Sequence, residues 1–565
     1  MKIIGIANDE TASACLIIDG SIVAAISEER LTRIKMDNSW PENSIKYCLS
    51  EGGVSLDNVD VVAYGWGAGF NPEKHFHSYF DRIVYASKCG DESGLEMIKE
   101  RFNSELYADK SKRNEYAEFV KNNSLEVKSI SFDHHECHAY SAFLCSDFDE
   151  GLVFTADGRG DFTSFTVSEF NQNSLNVLYR ATSFDSFGFF YGRITALLGY
   201  TPHRHEGKIT GLAAYGNPEK YRGLMKSMIS VSDGKVYGHG GKYFKAAYEN
   251  FSDELVSIIK SAKPEDIAAA AQVHLEECIV ELASYYIKKT GKNYLAMSGG
   301  VFANVRLNQC LLELSGVENV FISPHMGDGG LALGAAVAAH AANYNTRPIF
   351  KDVFLGLDIK LDFPDCEIEK NGLEIVESSD LHSTILESIA NGKVVGIARG
   401  RMEFGPRALC HRSIIFHCED QSVNQWLNKR MHRTEFMPFA PVTAIDFADM
   451  CYINWSPTHR AAQFMTTTYC CTPLMKQKCP AVTHLDGTAR PQIVSNETDE
   501  FMYKLLLRAK QDYKFLSLIN TSFNVHEEPI ICNEIDAMNG LKNGMIDLLL
   551  LGNKLVSRKG DFNDK

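Results

Sequence analysis

The chain has 565 residues, a formal net charge of −15, 45% hydrophobic residues and 23% charged residues. That length is more than one hydrophobic core usually supports, so two or more domains are predicted, and the acidic balance argues against a broad surface for nucleic acid while leaving room for a local basic patch. Fifteen cysteines without a CxxC pair fit neither a secreted disulfide framework nor a zinc ribbon.

The amino terminus turns polar too early for a signal peptide, and no run approaches the roughly 20 apolar residues of a membrane helix. A cytoplasmic protein with reduced thiols, not a membrane protein, is therefore expected. Residues 2–7 and 14–18 read as β-branched strands, and Asp19-Gly20 turns the chain into a third strand at 22–27. Short strands follow near 59–64, 151–156 and 294–297, alternating with helices at 264–290 and 331–342. This alternation predicts α/β layers. The charged stretch 91–123 has little apolar period and is expected to be a surface helical insertion. Around 343–348 the apolar period is lost, passes through a proline and restarts at Val353, which sets a domain boundary there: residues 1–347 and 348–565. The second domain is predicted to carry strands at 394–398, 515–520 and 546–551 and helices at 381–390 and 497–509.

Asp133-His134-His135-Glu136-Cys137-His138 places two imidazoles four residues apart, on one face of a helix, where both can reach a single ion. Asp157 in Asp157-Gly158-Arg159-Gly160-Asp161 and Asp328 in Gly327-Asp328-Gly329-Gly330 can complete the set with oxygen ligands. Mixed imidazole and carboxylate sites suit iron(II), manganese or zinc and leave a position open for substrate. The spacing does not satisfy HExxH, which disfavours a zincin protease. Ser298-Gly299-Gly300 through Asn304 follows a strand and opens a helix, a geometry that offers backbone N–H groups to phosphate. In His203-Arg204-His205-Glu206-Gly207-Lys208, Lys208 can neutralise a phosphate and Glu206 can hold a ribose hydroxyl, although a solvated loop reads equally well.

The second domain gathers positive charge at Arg399 to Ser413, and there Arg407 and Arg412 are selected as forks for phosphate or carbamate oxygens. The polar loops His484–Gln492 and Asn520–Asn524 suit a nucleoside triphosphate and a small anion, or a structural hydrogen-bond network.

With these motifs in order, the sequence resembles the two-domain O-carbamoyltransferases of nodulation, cephamycin and tobramycin pathways. The similarity runs from about Met1 to about Gly552 and is carried by residues 133–143, 192–216, 298–308, 401–413, 439–441, 484–492 and 520–524. The resemblance implies an actin/sugar-kinase-like first domain, similar to threonylcarbamoyl transferases, and an α/β adenylate-forming second domain, similar to threonylcarbamoyl-AMP synthases. It implies that the second domain makes carbamoyl-AMP and pyrophosphate from carbamoyl phosphate and ATP, with magnesium, and that the first passes the carbamoyl group to a hydroxyl of a small metabolite. Carried over by motif, His134, His138, Asp157 and Asp328 hold iron(II) or another divalent transition metal. Gly158, Glu206, Lys208, Gly211, Gly300 and Asn304 line the nucleotide in the first domain, Arg490 and Gln492 face ATP in the second, and Arg407, Arg412, Asn520 and Ser522 hold carbamoyl phosphate. Glu10, Lys208 and Arg407 are the expected catalytic residues.

The chain departs from the pattern at Asp9-Glu10-Thr11, nearer the opening of the threonylcarbamoyl-tRNA enzymes, and at Lys35-Met36, where a histidine is missing. Glu10 then becomes the candidate base for the acceptor hydroxyl, provided desolvation raises its pKa. An arginine is also missing before Pro438, which implies either a weakened anion site there or compensation by Lys429 or Arg430. Threonylcarbamoyl transfer to tRNA and a non-catalytic sensor of nucleotide and carbamoyl phosphate are the rival expectations, and a homodimer is compatible with either domain.

Overall fold

The computed structural model describes residues 1–67, 73–108, 110–239, 243, 251–344, 346–361, 363–433 and 438–561. The chain forms two compact units, Met1–Val23 with Asn38–Phe350 and Ala24–Asp37 with Lys351–Lys565. Both mix helices with sheets, giving a two-domain α/β protein. No helix among the described residues is long and apolar enough to cross a membrane.

The first unit contains two five-stranded sheets. One has the order Ser21–Ser27, Ser13–Ile18, Lys2–Ala7, Val61–Tyr64, Ser129–Ser131. Its opening hairpin turns at Asp19 (φ 48°) and Gly20 (φ 82°), two left-handed residues of the kind that match the twist of paired strands. The other has the order Asn319–Ile322, Tyr294–Ser298, Glu150–Gly160, Thr163–Asn171, Ser174–Thr182.

Helix Leu331–Tyr344 packs against both the first sheet and helix His134–Phe143. Its first ten residues are buried, and small residues let it come close. A Cβ on Gly334 would stand 2.0 Å from the carbonyl of Cys137, and one on Gly5 would stand 2.0 Å from the carbonyl of Ala332. The glycines therefore set how closely the histidine-bearing helix is held.

The second unit is built on an eight-stranded sheet: Leu373–Val376, Lys554–Arg558, Leu548–Leu551, Val395–Ala398, Arg412–His417, Leu518–Ser522, Ala440–Ala444, Gln492–Val494. Helices Leu381–Ala390 and Glu500–Tyr513 bury Ile385, Leu386, Ile389, Met502 and Leu505 against Val395, Ile397, Ile415 and Leu518. Segment 24–37 belongs here: Arg33 donates to the carbonyls of Ile530 at 2.7 Å and Pro529 at 3.0 Å, and Arg30 to that of Gly405 at 2.9 Å.

The stretch 91–123 expected as a surface insertion is indeed helical, at Glu92–Tyr107 and Lys110–Asn122, but it is not confined to the surface. Met97, Ile98, Glu105, Tyr116 and Val120 are buried, and Glu115 accepts from the buried Asn8 amide at 3.0 Å. Charged residues hid the helical period because several of them point inward.

Gly334→Ala forces backbone apart at the contact with Cys137, and overpacking of this kind costs about 1–3 kcal/mol. The expected outcome is a lower midpoint for the first unit's thermal transition, read by calorimetry, with the second unit's transition unmoved.

Candidate functional site

Helix His134–Phe143 begins with a capping box. The Asp133 carboxylate accepts from the amides of His135 and Glu136 at 2.8 and 3.2 Å, while Glu136 accepts from the Asp133 amide at 3.3 Å. The cap fixes the first turn, and with it the direction of His134 and His138. The strand Glu150–Gly160 delivers Asp157, and the turn before helix Leu331–Tyr344 delivers Asp328. One ligand atom from each of His134, His138, Asp157 and Asp328 lies within 4.8 Å of the others. His138 Nε2 stands 3.1 Å from Asp157 Oδ2 and 3.5 Å from Asp328 Oδ1, and His134 Nε2 stands 3.7 and 3.8 Å from the same atoms.

The surrounding hydrogen bonds test whether a cation fits. Ser298 Oγ donates to the carbonyl of Met326 at 3.2 Å and therefore accepts from His138 Nδ1 at 3.0 Å. With the proton on Nδ1, the lone pair of Nε2 faces two carboxylates, and the contact is relieved either by a positive centre between them or by a proton shared with Asp157 across 3.1 Å. Both ring nitrogens of His134 are buried without a hydrogen-bond partner among the described residues. His134 packs edge-on against Trp66 at 4.3 Å. A Cβ on Gly160 would fall 2.2 Å from its ring, so only glycine admits it.

The carboxylates carry the same message. Burial and the charge of Asp157 push Asp328 well above the ordinary carboxylate range, whereas Asp157, despite burial, is held well below it by the two imidazoles. Burial pulls His138 down to about 4, which leaves the neutral imidazole that a metal needs. The third histidine is spent elsewhere: His135 bonds Thr155 Oγ1 at 2.7 Å and the carbonyl of Thr163 at 3.1 Å.

Asp157 and Asp328 open onto a cavity of about 290 Å³ that also exposes Glu10, His203 and Gly158. Glu10 is bonded through Oε1 to His203 Nδ1 at 2.6 Å. His203 has a left-handed backbone (φ 68°), and its amide donates to Glu206 Oε1 at 2.7 Å. Burial lowers the His203 pKa, but its bond to Glu10 and the charges of Glu10, Glu206 and Asp157 outweigh that and raise it. Sequence reasoning had treated His203 as part of a charged loop. Arg101, Arg159, Arg193, Phe189 and Trp66, which line the same cavity, also escaped it.

Gly300 donates its amide to Asp157 Oδ2 at 3.2 Å, tying the glycine loop to the carboxylate. Asn304 caps its helix through Leu307 and exchanges two hydrogen bonds with Gln272, at 2.8 and 3.1 Å, while Gln272 accepts from Tyr191 at 2.6 Å. Lys208 and Gly211 are buried in helix Glu206–Ala213, and neither they nor Asn304 line the cavity.

In the second unit the two selected arginines have opposite fates. Arg412 is fully buried and donates to the carbonyls of Cys532, Arg399, Gly400, His411 and Leu357 at 2.7–3.2 Å. Its guanidinium is consumed by backbone, so the expectation that it grips carbamoyl phosphate is corrected to a structural role. Arg407 has no hydrogen bond or ion pair among the described residues, its Nε is buried, and burial alone lowers its pKa to about 10. An uncompensated cation in such a place is costly unless an anion meets it.

Glu403, which sequence reasoning missed, organises the loop. Its Oε1 accepts from the amides of Leu409, His411 and Arg412 at 2.6, 2.9 and 3.1 Å. Asn520 donates to the carbonyl of Ala408 at 3.2 Å and to Gln492 Oε1 at 2.6 Å, while its own Oδ1 is a buried acceptor without a partner among the described residues. Gln492, expected to face ATP, thus sits with Asn520 beside the Arg407 loop, and Arg490 lies near His484. Ser522 is held by Arg433, which donates to its carbonyl at 2.7 Å and its Oγ at 2.9 Å. Arg430 is committed to Asp547 at 2.6 Å, so it does not supply the arginine missing before Pro438.

A family model described as carbamoyltransferase N-terminus matches residues 2–337, and one described as carbamoyltransferase C-terminus matches residues 386–558. An uncharacterized protein of Methanocaldococcus jannaschii is 32% identical over 98% of this chain and 99% of its own length. Nodulation protein NolNO of Sinorhizobium fredii is 29% identical over 97% of this chain and 79% of its own. The 3'-hydroxymethylcephem-O-carbamoyltransferase of Amycolatopsis lactamdurans is 26% identical over 75% of this chain and 78% of its own.

Two outcomes check these assignments. Ser298→Ala removes the partner that orients His138 and is expected to weaken divalent-metal affinity by about 10–100-fold in equilibrium dialysis. Arg412→Met strands five carbonyls and is expected to destabilise the second unit by about 3–5 kcal/mol, whereas Arg407→Met leaves its melting temperature unchanged or higher.

Proposed function

The chain belongs to the carbamoyltransferase family, and on that premise we propose that it is an ATP-dependent O-carbamoyltransferase that activates in the second unit and transfers in the first. The observation that carries the activating half is Arg407, a partly buried arginine with a buried Nε and no hydrogen bond or ion pair among the described residues, on a loop shared with Asn520 and Gln492. It is suited to fork onto the oxygens of carbamoyl phosphate. Water releases phosphate from that substrate. A carbamate oxygen then bonds the α-phosphorus of magnesium-bound ATP as pyrophosphate leaves, giving carbamoyl-AMP. Arg407 lowers the repulsion between the two anions as they approach, and the amide groups of Asn520 and Gln492 orient the carbamate. Arg490 faces the nucleotide in this reading. In it the first unit is of the actin/sugar-kinase type and the second of the threonylcarbamoyl-AMP-synthase type.

In the first unit His134, His138, Asp157 and Asp328 would hold a divalent metal, iron(II) in this reading, which when bound supplies a Lewis acid for the adenylate phosphate. Gly300, Asn304 and Lys208 seat the nucleotide. The acceptor hydroxyl approaches from the cavity. Its oxygen bonds the carbamoyl carbon, the bond from that carbon to the phosphate oxygen breaks, and AMP leaves. His203 takes the hydroxyl proton, with Glu10 holding the ring through Nδ1 and stabilising the imidazolium that forms. Glu10 therefore acts through His203 rather than as the base itself.

Pure protein with carbamoyl phosphate and ATP is expected to release pyrophosphate, and Arg407→Ala to abolish that release; no release from the wild type would refute the activating half. A base must be neutral, so the transfer rate is expected to rise with pH through the His203 pKa, which lies above the ordinary 6.5. Glu10→Gln removes the charge that favours imidazolium, and the rising limb should move to lower pH while the maximal rate falls. A limb that stays in place would return the proton to another group.

A further inference from the structure

The cavity of the first unit has two kinds of lining. Two of its carboxylates have cationic partners, Asp9 with Lys112 at 2.7 Å and Glu10 with His203 at 2.6 Å, while Asp157 and Asp328 belong to the metal-type cluster. The remaining charged side chains are Arg101, Arg159 and Arg193. They come from three elements far apart in sequence, helix Glu92–Tyr107, strand Glu150–Gly160 and helix Phe187–Leu197.

Their guanidiniums gather around one ring and one carboxylate. Arg101 lies 4.5 Å and Arg193 5.8 Å from the centre of the Phe189 ring, and Glu105 stands 3.8 Å from Arg101 and 3.7 Å from Arg159. Three guanidiniums thus meet on one wall of a cavity whose other charges are mainly carboxylates, and such a wall suits the anionic end of a ligand. Planar guanidiniums beside an aromatic face suit a carboxylate or phosphate attached to a compact body. The volume, about 290 Å³, admits a small molecule.

Gly300 and Asn304, which seat the nucleotide in our reading, do not line this cavity, whereas Asp157, Gly158 and Asp328 do, so the wall faces the place where the adenylate's reacting end meets the acceptor. Resting on the assignment of the first unit to transfer, we infer that the acceptor is an anionic hydroxyl compound, a small sugar or polyol bearing a carboxylate or phosphate, whose charge is held by Arg159 and Arg193 while its hydroxyl reaches His203.

Isothermal titration of the full chain, without ATP or carbamoyl phosphate, tests this with glucose 6-phosphate, glucuronate, glucose, glucosamine and AMP as probes. Both anionic sugars are expected to bind at least tenfold tighter than glucose, and glucosamine weakest. Arg193→Met, and independently the more exposed Arg159→Met, should erase the preference, while Arg159→Lys retains most of it. Melting curves identify any variant that has lost its fold. Equal affinities for charged and uncharged sugars, or no binding of the anionic pair, overturn the inference. So does a loss of AMP binding in Arg159→Met that parallels the loss of glucose 6-phosphate, because that would give the wall to the nucleotide. The titration involves no turnover, so pyrophosphate release that persists while discrimination fails refutes this inference alone.

Discussion

Two buried imidazoles and two partly exposed carboxylates meet within a few ångströms at the floor of a cavity, and the architecture of the first unit follows from making that meeting tolerable. Left alone, such groups repel or must share protons, as the divergent behaviour of Asp157 and Asp328 shows. Stability here depends on a scaffold that cannot relax: the Asp133 cap, glycines where helix Leu331–Tyr344 and strand Glu150–Gly160 come close, and Ser298 fixing the tautomer of His138. Each is a local device of small energy. Together they hold four donors in an arrangement that the folded chain on its own would not favour.

The second unit solves a different electrostatic problem with the same amino acid used twice. Arg412 is saturated by carbonyls and behaves as a strut between strands, whereas Arg407, five residues earlier, is partly buried and has no partner among the described residues. Glu403 makes the difference possible, since its carboxylate gathers the amides of Leu409, His411 and Arg412 and fixes the loop that separates the two. One arginine is spent on the fold, and the other is left with a guanidinium that no described residue engages.

Much of this was legible in the sequence where a signal is local. The helices at Pro264–Thr290 and Leu381–Ala390 have the limits expected from an N-terminal proline and from apolar period. The metal-type cluster could be read because two of its members share a helix face and the others sit in glycine turns. Less was legible where the deciding contacts are distant. The strands Thr163–Asn171 and Ser174–Thr182 were not foreseen, because Ser164, Thr166 and Ser168 look like loop residues yet are buried. Arg412 was misjudged because its acceptors include backbone at Leu357 and Cys532, and no composition rule distinguishes a guanidinium that binds carbonyls from one that awaits an anion. His203 gained its meaning only from Glu10, almost two hundred residues away.

Segment 24–37 has a consequence for how the polypeptide matures. Arg33 finds its acceptors at Pro529 and Ile530, 496 and 497 positions later. The larger part of the intervening chain can fold while synthesis continues, but the unit that joins residues 24–37 to residues 351–565 cannot close until its later segment has been made. Loop closure on that scale is slow relative to local structure, and an unfinished sheet is vulnerable meanwhile. The protein therefore cannot be divided into two independent gene fragments at the helix Leu331–Tyr344 without depriving the later piece of its earliest residues.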